Sequence, residues 1–232
     1  MIYTRSRGLA AGLFLLAPLV GEYLLGNTPI TQPESLLGLA PMYGGGALLI
    51  REVTRRTGRG WPTMVALAAA YALLEEGPID MMLWNPSYGG FSIADAYAET
   101  YVPVLGTSVQ LLQDVLTMHT VWSICVPIAV METFAGDRTR PWLGRTGLAA
   151  TALVFVTGSA ALTALQIAQN QFVASPAELA WSFAAIAGLV VLGLRLGRDP
   201  AERAAQQLNR NRPSASAVSG TVSTTAATSI GP

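Results

Sequence analysis

Charge is scarce in this chain. Of its 232 residues 12% are charged and 51% are hydrophobic, with a mean hydropathy of +0.43, whereas a soluble domain carries about 25% charged residues. That balance excludes a water-soluble globule and makes a polytopic membrane protein the default reading. Lysine is absent: all 14 cations are arginine, and 14 acids offset them. The basic excess that a nucleic-acid binder spreads over its surface is missing, so no nucleic-acid partner is expected. Cysteine occurs once, at Cys125 inside an apolar run, which excludes an intrachain disulfide and a thiolate zinc cluster. Histidine also occurs once, at His119. Arginine in place of lysine throughout fits a GC-rich bacterial genome, so the expected location is the bacterial inner (cell) membrane, with the lipid bilayer as the first partner.

Long apolar runs are plentiful. A membrane helix needs about 20 mainly apolar residues, and six windows qualify: 8–25, 35–50, 61–84, 106–134, 147–168 and 177–196. The expected fold class is therefore all-α, a polytopic membrane helix bundle of six transmembrane segments. Window 35–50 is the weakest. Pro41 and the run Gly44, Gly45, Gly46 favour a broken segment or a re-entrant turn there over a straight helix. The first window follows a basic start but lacks an A-x-A-like cleavage site, so it reads as an uncleaved span. Every arginine falls in a segment that the positive-inside rule assigns to one side. Both termini are then cytoplasmic, and the external loops 26–34, 85–105 and 169–176 hold no arginine. Trp61, Trp84 and Trp142 lie near span ends and read as headgroup anchors. Ala180, Ala184 and Gly188 on span six, and Ser159 and Thr163 on span five, read as helix-packing stripes. The domain reading is 1–197 for the six-span unit and 198–232 for a cytoplasmic tail, whose uncharged Ser/Thr/Ala end cannot build a core and is expected to be disordered.

The acids point to chemistry. Five of the 14 share the cytoplasmic side with the arginines, giving +9 there and −9 elsewhere. Four acids fall well inside spans: Glu75, Glu76 and Asp80 on span three, and Asp114 on span four. Ala68, Ala72, Glu76 and Asp80 recur at i+4 and share a face, so a small-residue packing stripe runs into two acids and that face points at protein. Counted inward from Trp84, Glu76 lies about 12 Å deep at 1.5 Å per residue. Asp114 comes out at similar depth and His119 within a few residues of the same level, which makes His119 the one cationic partner available. Glu22, near its span end, needs no special role. Pro78 and Pro127 deprive the Leu74 and Ser123 carbonyls of helical donors. Irregular backbone at this depth is tolerated only where it is buried in protein or lines a wet cavity, so a polar cavity open to the outside is expected. The aromatic loop 85–105 is either its lid or an interfacial segment.

Glu75-Glu76 in one membrane helix, with a histidine in the next, resembles the CAAX-protease and bacteriocin-processing (Abi) family of intramembrane metalloproteases. That family's motifs are Glu-Glu-x-x-x-Arg, Phe-x-x-x-His and His-x-x-x-Asn/Asp. This chain has Asp80 where Arg is expected, Val115 for Phe and Ser123 for Asn/Asp, and its single histidine cannot serve both later motifs. The resemblance implies a hydrolase in which Glu75, Glu76 and His119 are catalytic. A metal, zinc by analogy, would be held by Glu76, Asp114 and His119, and the substrate would be a membrane protein or peptide. The segments Tyr43-Gly44-Gly45-Gly46, Ile50-Arg51-Glu52, Glu75-Glu76-Gly77 and His119-Thr120-Val121-Trp122-Ser123 also look like an uncharacterised group of bacterial multi-pass proteins. Three functions stay open: an Abi-like hydrolase or a degenerate relative of one, a proton- or cation-coupled carrier or sensor, and a non-catalytic membrane partner protein.

Overall fold

Among the described residues four helices are long and apolar enough to cross a membrane: Ser6–Leu24, Val109–Thr133, Arg145–Asn170 and Pro176–Arg195. The computed structural model describes residues 2–196; the tail expected at 198–232 lies outside them. The order is α1 (Ile2–Pro18), α2 (Glu34–Arg56), α3 (Trp61–Leu74), a short α4 (Ile93–Ala96), the two-residue strands β1 (Tyr101–Val102) and β2 (Thr107–Ser108), α5 (Val109–Met118), α6 (Val126–Thr133), α7 (Arg145–Asn170) and α8 (Pro176–Arg195). The strands form an antiparallel hairpin pairing Tyr101 with Ser108. Three wide, π-helical turns interrupt or extend the helices: Leu19–Leu24 after α1, Glu75–Ile79 after α3, and His119–Cys125 joining α5 to α6.

α2 corrects the expectation of a broken second span. It is one continuous 23-residue helix, packed against α1 on one side and α7 on the other. The glycines of its 44–46 run serve close approach. A Cβ on Gly44 would overlap the backbone of Phe14, whose carbonyl lacks its i+4 donor because that residue is Pro18. A Cβ on Gly46 would overlap the Tyr71 ring. Lipid tails are as apolar as leucine, so helices in a membrane associate through close packing, and small residues at the contact are what permit it. The core accordingly gathers Leu13, Tyr43, Ala47, Met64, Ala68, Tyr71, Ile124 and Ile128 around α2 and α3.

The outer helices differ. α7 presents much of its apolar surface outward, with Leu153, Val156 and Leu165 exposed. On α8 the expected packing stripe of Ala180, Ala184 and Gly188 is exposed, a correction; contact runs instead through buried Ser182 and Gly193, the latter seated on Thr63 and Ala66. The N-terminus of α8 is fixed by a capping box: Ser175 Oγ accepts from Glu178 N at 3.3 Å and Glu178 Oε2 accepts from Ser175 N at 2.7 Å, with Pro176 in the first turn.

Two of the three tryptophans read as anchors are core residues. Trp142 is buried with Arg51 Cζ 3.3 Å from its ring centroid, and Trp84 is buried against Gly77. Only Trp61 is substantially exposed. Arg51 and Arg55 are themselves buried, in a network that the sequence did not disclose. Glu132 Oε1 lies 3.1 Å from Arg51 Nε and 3.0 Å from Arg55 Nε, and its Oε2 lies 2.7 Å from Arg55 Nη2. Glu52 Oε1 accepts from Arg51 Nη1 at 2.9 Å and from the Trp142 amide at 2.7 Å. Arg51 Nη2 donates to the Arg138 and Arg140 carbonyls, each at 3.1 Å. This network ties the end of α2 to α6 and the segment before α7.

Candidate acid–histidine site

The site sits on the wide turns. Pro78 has no N–H to offer the Leu74 carbonyl, and the helix responds by widening: the Asp80 N–H donates to the Glu75 carbonyl five residues back, at 2.8 Å. Near Pro127 the Val126 N–H likewise reaches the Val121 carbonyl, again five residues back. Isolated π-helical turns of this kind recur at functional sites. Here the second holds Glu75 and Glu76, the third holds His119 and Ser123, and the first holds Glu22. Of the stripe expected on this span, Ala68, Ala72 and Glu76 are buried and Asp80 is half-buried.

His119, 2% exposed, is held between the two glutamates. Its Nε2 lies 2.7 Å from Glu76 Oε1, and its Nδ1 lies 3.0 Å from Glu75 Oε2. Ser123 Oγ is hydrogen-bonded to Nδ1 at 3.0 Å. A neutral imidazole has a lone pair on one nitrogen, and a lone pair facing an ionised carboxylate at this distance is repelled. The two contacts thus call for two protons among three groups: an imidazolium between two carboxylates, or a neutral ring with one protonated glutamic acid. Either way the trio carries a net −1 charge. Glu76 Oε2 is buried without a hydrogen-bond partner.

Further polar groups surround this trio. The Tyr43 ring stands 6.1 Å from the His119 ring and 6.3 Å from Tyr71, centroid to centroid. The Tyr43 hydroxyl donates to Glu22, which also accepts from Thr28 Oγ1 at 3.2 Å. Glu22, given no role by the sequence, is thereby part of the same polar layer. Asp80 accepts from the Tyr88 hydroxyl at 3.0 Å, and that hydroxyl accepts from Gln166 Nε2 at 2.6 Å. Burial and the facing Asp80 carboxylate hold the Tyr88 phenol well above its ordinary pKa, so it remains a donor. The Gly89 amide donates to Asn170 Oδ1 at 3.2 Å. Loop 85–105 is in this way docked on α7.

Of the four residues proposed as catalytic or metal-binding, the structure brings together Glu75, Glu76 and His119. Asp114 stands apart on the exposed side of α5. The donors do not fit the zinc implied by the Abi resemblance. A catalytic zinc takes three protein ligands with histidine prominent, whereas both nitrogens of the single histidine face carboxylates. Among the described residues no group of three or more His, Cys, Asp or Glu side chains is placed to hold a metal ion. A cavity does open beside the second wide turn, but its lining runs through Trp84, Tyr97 and Glu178 and includes none of Glu75, Glu76 and His119.

The helical architecture and the apolar spans define a membrane protein. The model of an uncharacterised membrane protein family matches residues 13–231, and the chain belongs to that family. Neither the curated proteins nor the solved structures give a match. Nothing in these comparisons ties the chain to the CAAX-protease and bacteriocin-processing proteins.

Proposed function

We propose that this is a proton-binding membrane protein, a carrier or sensor in which the Glu75–His119–Glu76 trio takes up and releases a proton. The observation that carries the reading is the imidazole clamped by carboxylates on both nitrogens, in a layer with no arginine. A net −1 charge held away from water is costly, and one added proton neutralises it. The groups facing the trio are Glu22 through Tyr43, Asp80 through Tyr88, and the hydroxyls of Tyr71 and Ser123. All are acids or weak donors, so none competes as a fixed countercharge. A hydrolytic role is less well supported, because His119 has no nitrogen free for a metal or a substrate.

In the same proposal the chain crosses a bacterial inner membrane six times. The passes are α1, α2, α3 with its wide turn, α5 with α6, α7 and α8. The arginine-rich end is cytoplasmic, and the loops around 26–34, 85–105 and 169–176 are external.

His119 is the only histidine, so its ring nitrogens are the only imidazole signals in ¹⁵N-histidine-labelled protein. In purified full-length protein, their shifts are expected to show a pH transition that Glu75→Gln and Glu76→Gln each move by about one pH unit or more, a differential interaction of about 1.4 kcal/mol. Superimposable titrations in the parent and both variants would sink the reading.

A further inference from the structure

At the end of the bundle that carries loop 85–105 lies a cavity of about 490 Å³, within the roughly 300–1,000 Å³ of small-molecule sites. Three segments wall it: Trp84 and Asn85 after the second wide turn, Tyr97 with the Tyr101 and Thr107 hairpin, and Glu178 in the first turn of α8. The wall is braced. The indole N–H groups of Trp84 and Trp181 both donate to the Leu105 carbonyl at 3.2 Å, and their rings meet edge to face at 5.8 Å. Glu178 is held through Oε2 by the capping box, while its Oε1 lies over Gly106, where a Cβ would overlap it. Gly106 also turns the hairpin with φ +68°, a conformation that side chains disfavour.

The charge of the lining points to a ligand. Glu178 is the one ionisable acid or base in the lining apart from the tyrosines, and the segments 26–34, 85–105 and 169–176 contain no arginine or lysine. Aromatic rings beside a carboxylate without a cation are the chemistry that recognises ammonium groups.

We propose that this cavity binds a small organic cation, an ammonium compound with an apolar body. An anion would be repelled by Glu178, and a cation adds an attraction that a neutral molecule of the same shape lacks. None of the lining residues belongs to the acid–histidine trio, so the site stands apart from proton binding.

The test is isothermal titration calorimetry on the purified full-length protein with choline and with its neutral isostere, 3,3-dimethyl-1-butanol. Choline is expected to bind saturably and about tenfold or more tighter than the isostere. Glu178→Gln keeps the capping box, since glutamine also serves at that position, and is expected to weaken choline binding about tenfold. Tyr101→Leu alters an exposed ring and is expected to weaken it about threefold or more. No saturable choline binding up to millimolar concentration, equal affinity for the two probes, or unchanged binding in Glu178→Gln with Tyr101→Leu would each overturn the proposal.

Discussion

Gly44 shows how much a single hydrogen atom in place of a methyl decides. Its Cα rests on the Phe14 backbone, so Gly44→Ala forces α1 and α2 apart. The expected cost is about 1–3 kcal/mol, the range for overpacking a fitted contact, read as a lower midpoint in thermal unfolding followed by tryptophan fluorescence. Gly38 lies on the same helix, and a methyl added there would meet nothing within 4 Å. Gly38→Ala is expected to be neutral or stabilising by about 0.5–1 kcal/mol, because alanine is the better helix former; equal losses in the two variants would refute the packing account. At this scale the sequence was informative about the trio. A packing stripe running into Glu76, with Glu75 beside it, and a lone histidine at similar depth made His119 the one cationic partner available, and Glu75, Glu76 and His119 do meet. Glu22 and Asp114 were misjudged because depth along a helix says nothing about azimuth across the bundle. Glu22 turns inward to Tyr43 and Asp114 turns outward, and no residue spacing within one span records that choice.

The wide turns join residue chemistry to the bundle. Proline at 78 and 127 foretold irregular backbone, and its form is a widened turn that keeps the helix going with bonds to the fifth residue. Pro78→Ala restores an N–H to the Leu74 carbonyl and is expected to let the turn tighten, rotating Glu76 away from His119. The ¹⁵N titration of His119 should then move as it does in Glu76→Gln, while the unfolding midpoint changes little; an unchanged titration would mean that the turn is set by tertiary packing and not by the proline. The same elements explain what the sequence hid. In α2 the glycine run was read as a break, since glycine weakens helices in water, but inside a bundle it lets three helices meet. Helices apolar on most faces carry little periodicity. Spacing alone therefore could not tell that Ala180, Ala184 and Gly188 face outward while Ser182 and Gly193 face in.

Among the described residues two buried ionic layers sit toward opposite ends, and they differ in balance. In the Arg51–Glu52–Arg55–Glu132 layer each carboxylate meets guanidinium groups at 2.7–3.1 Å or backbone amides, and Arg51 also has carbonyl acceptors and the Trp142 face. In the Glu75–His119–Glu76 layer two carboxylates share one imidazole, and Glu76 Oε2 is buried without a hydrogen-bond partner. A satisfied buried network holds a fold together, and removing one member strands the others, typically at about 3–5 kcal/mol. An under-satisfied acidic layer works the other way, because neutralising one of its members relieves repulsion. Glu132→Gln is thus expected to lower the unfolding midpoint sharply by leaving Arg51 and Arg55 without a carboxylate between them. Glu76→Gln is expected to leave the midpoint unchanged or raise it, although it moves the His119 titration. A thermal series on the parent and these two isosteric variants checks the contrast directly. If Glu76→Gln proves as destabilising as Glu132→Gln, the acid–histidine layer is structural and the proton reading fails with it; opposite shifts would place stability in the arginine layer and proton chemistry in the other.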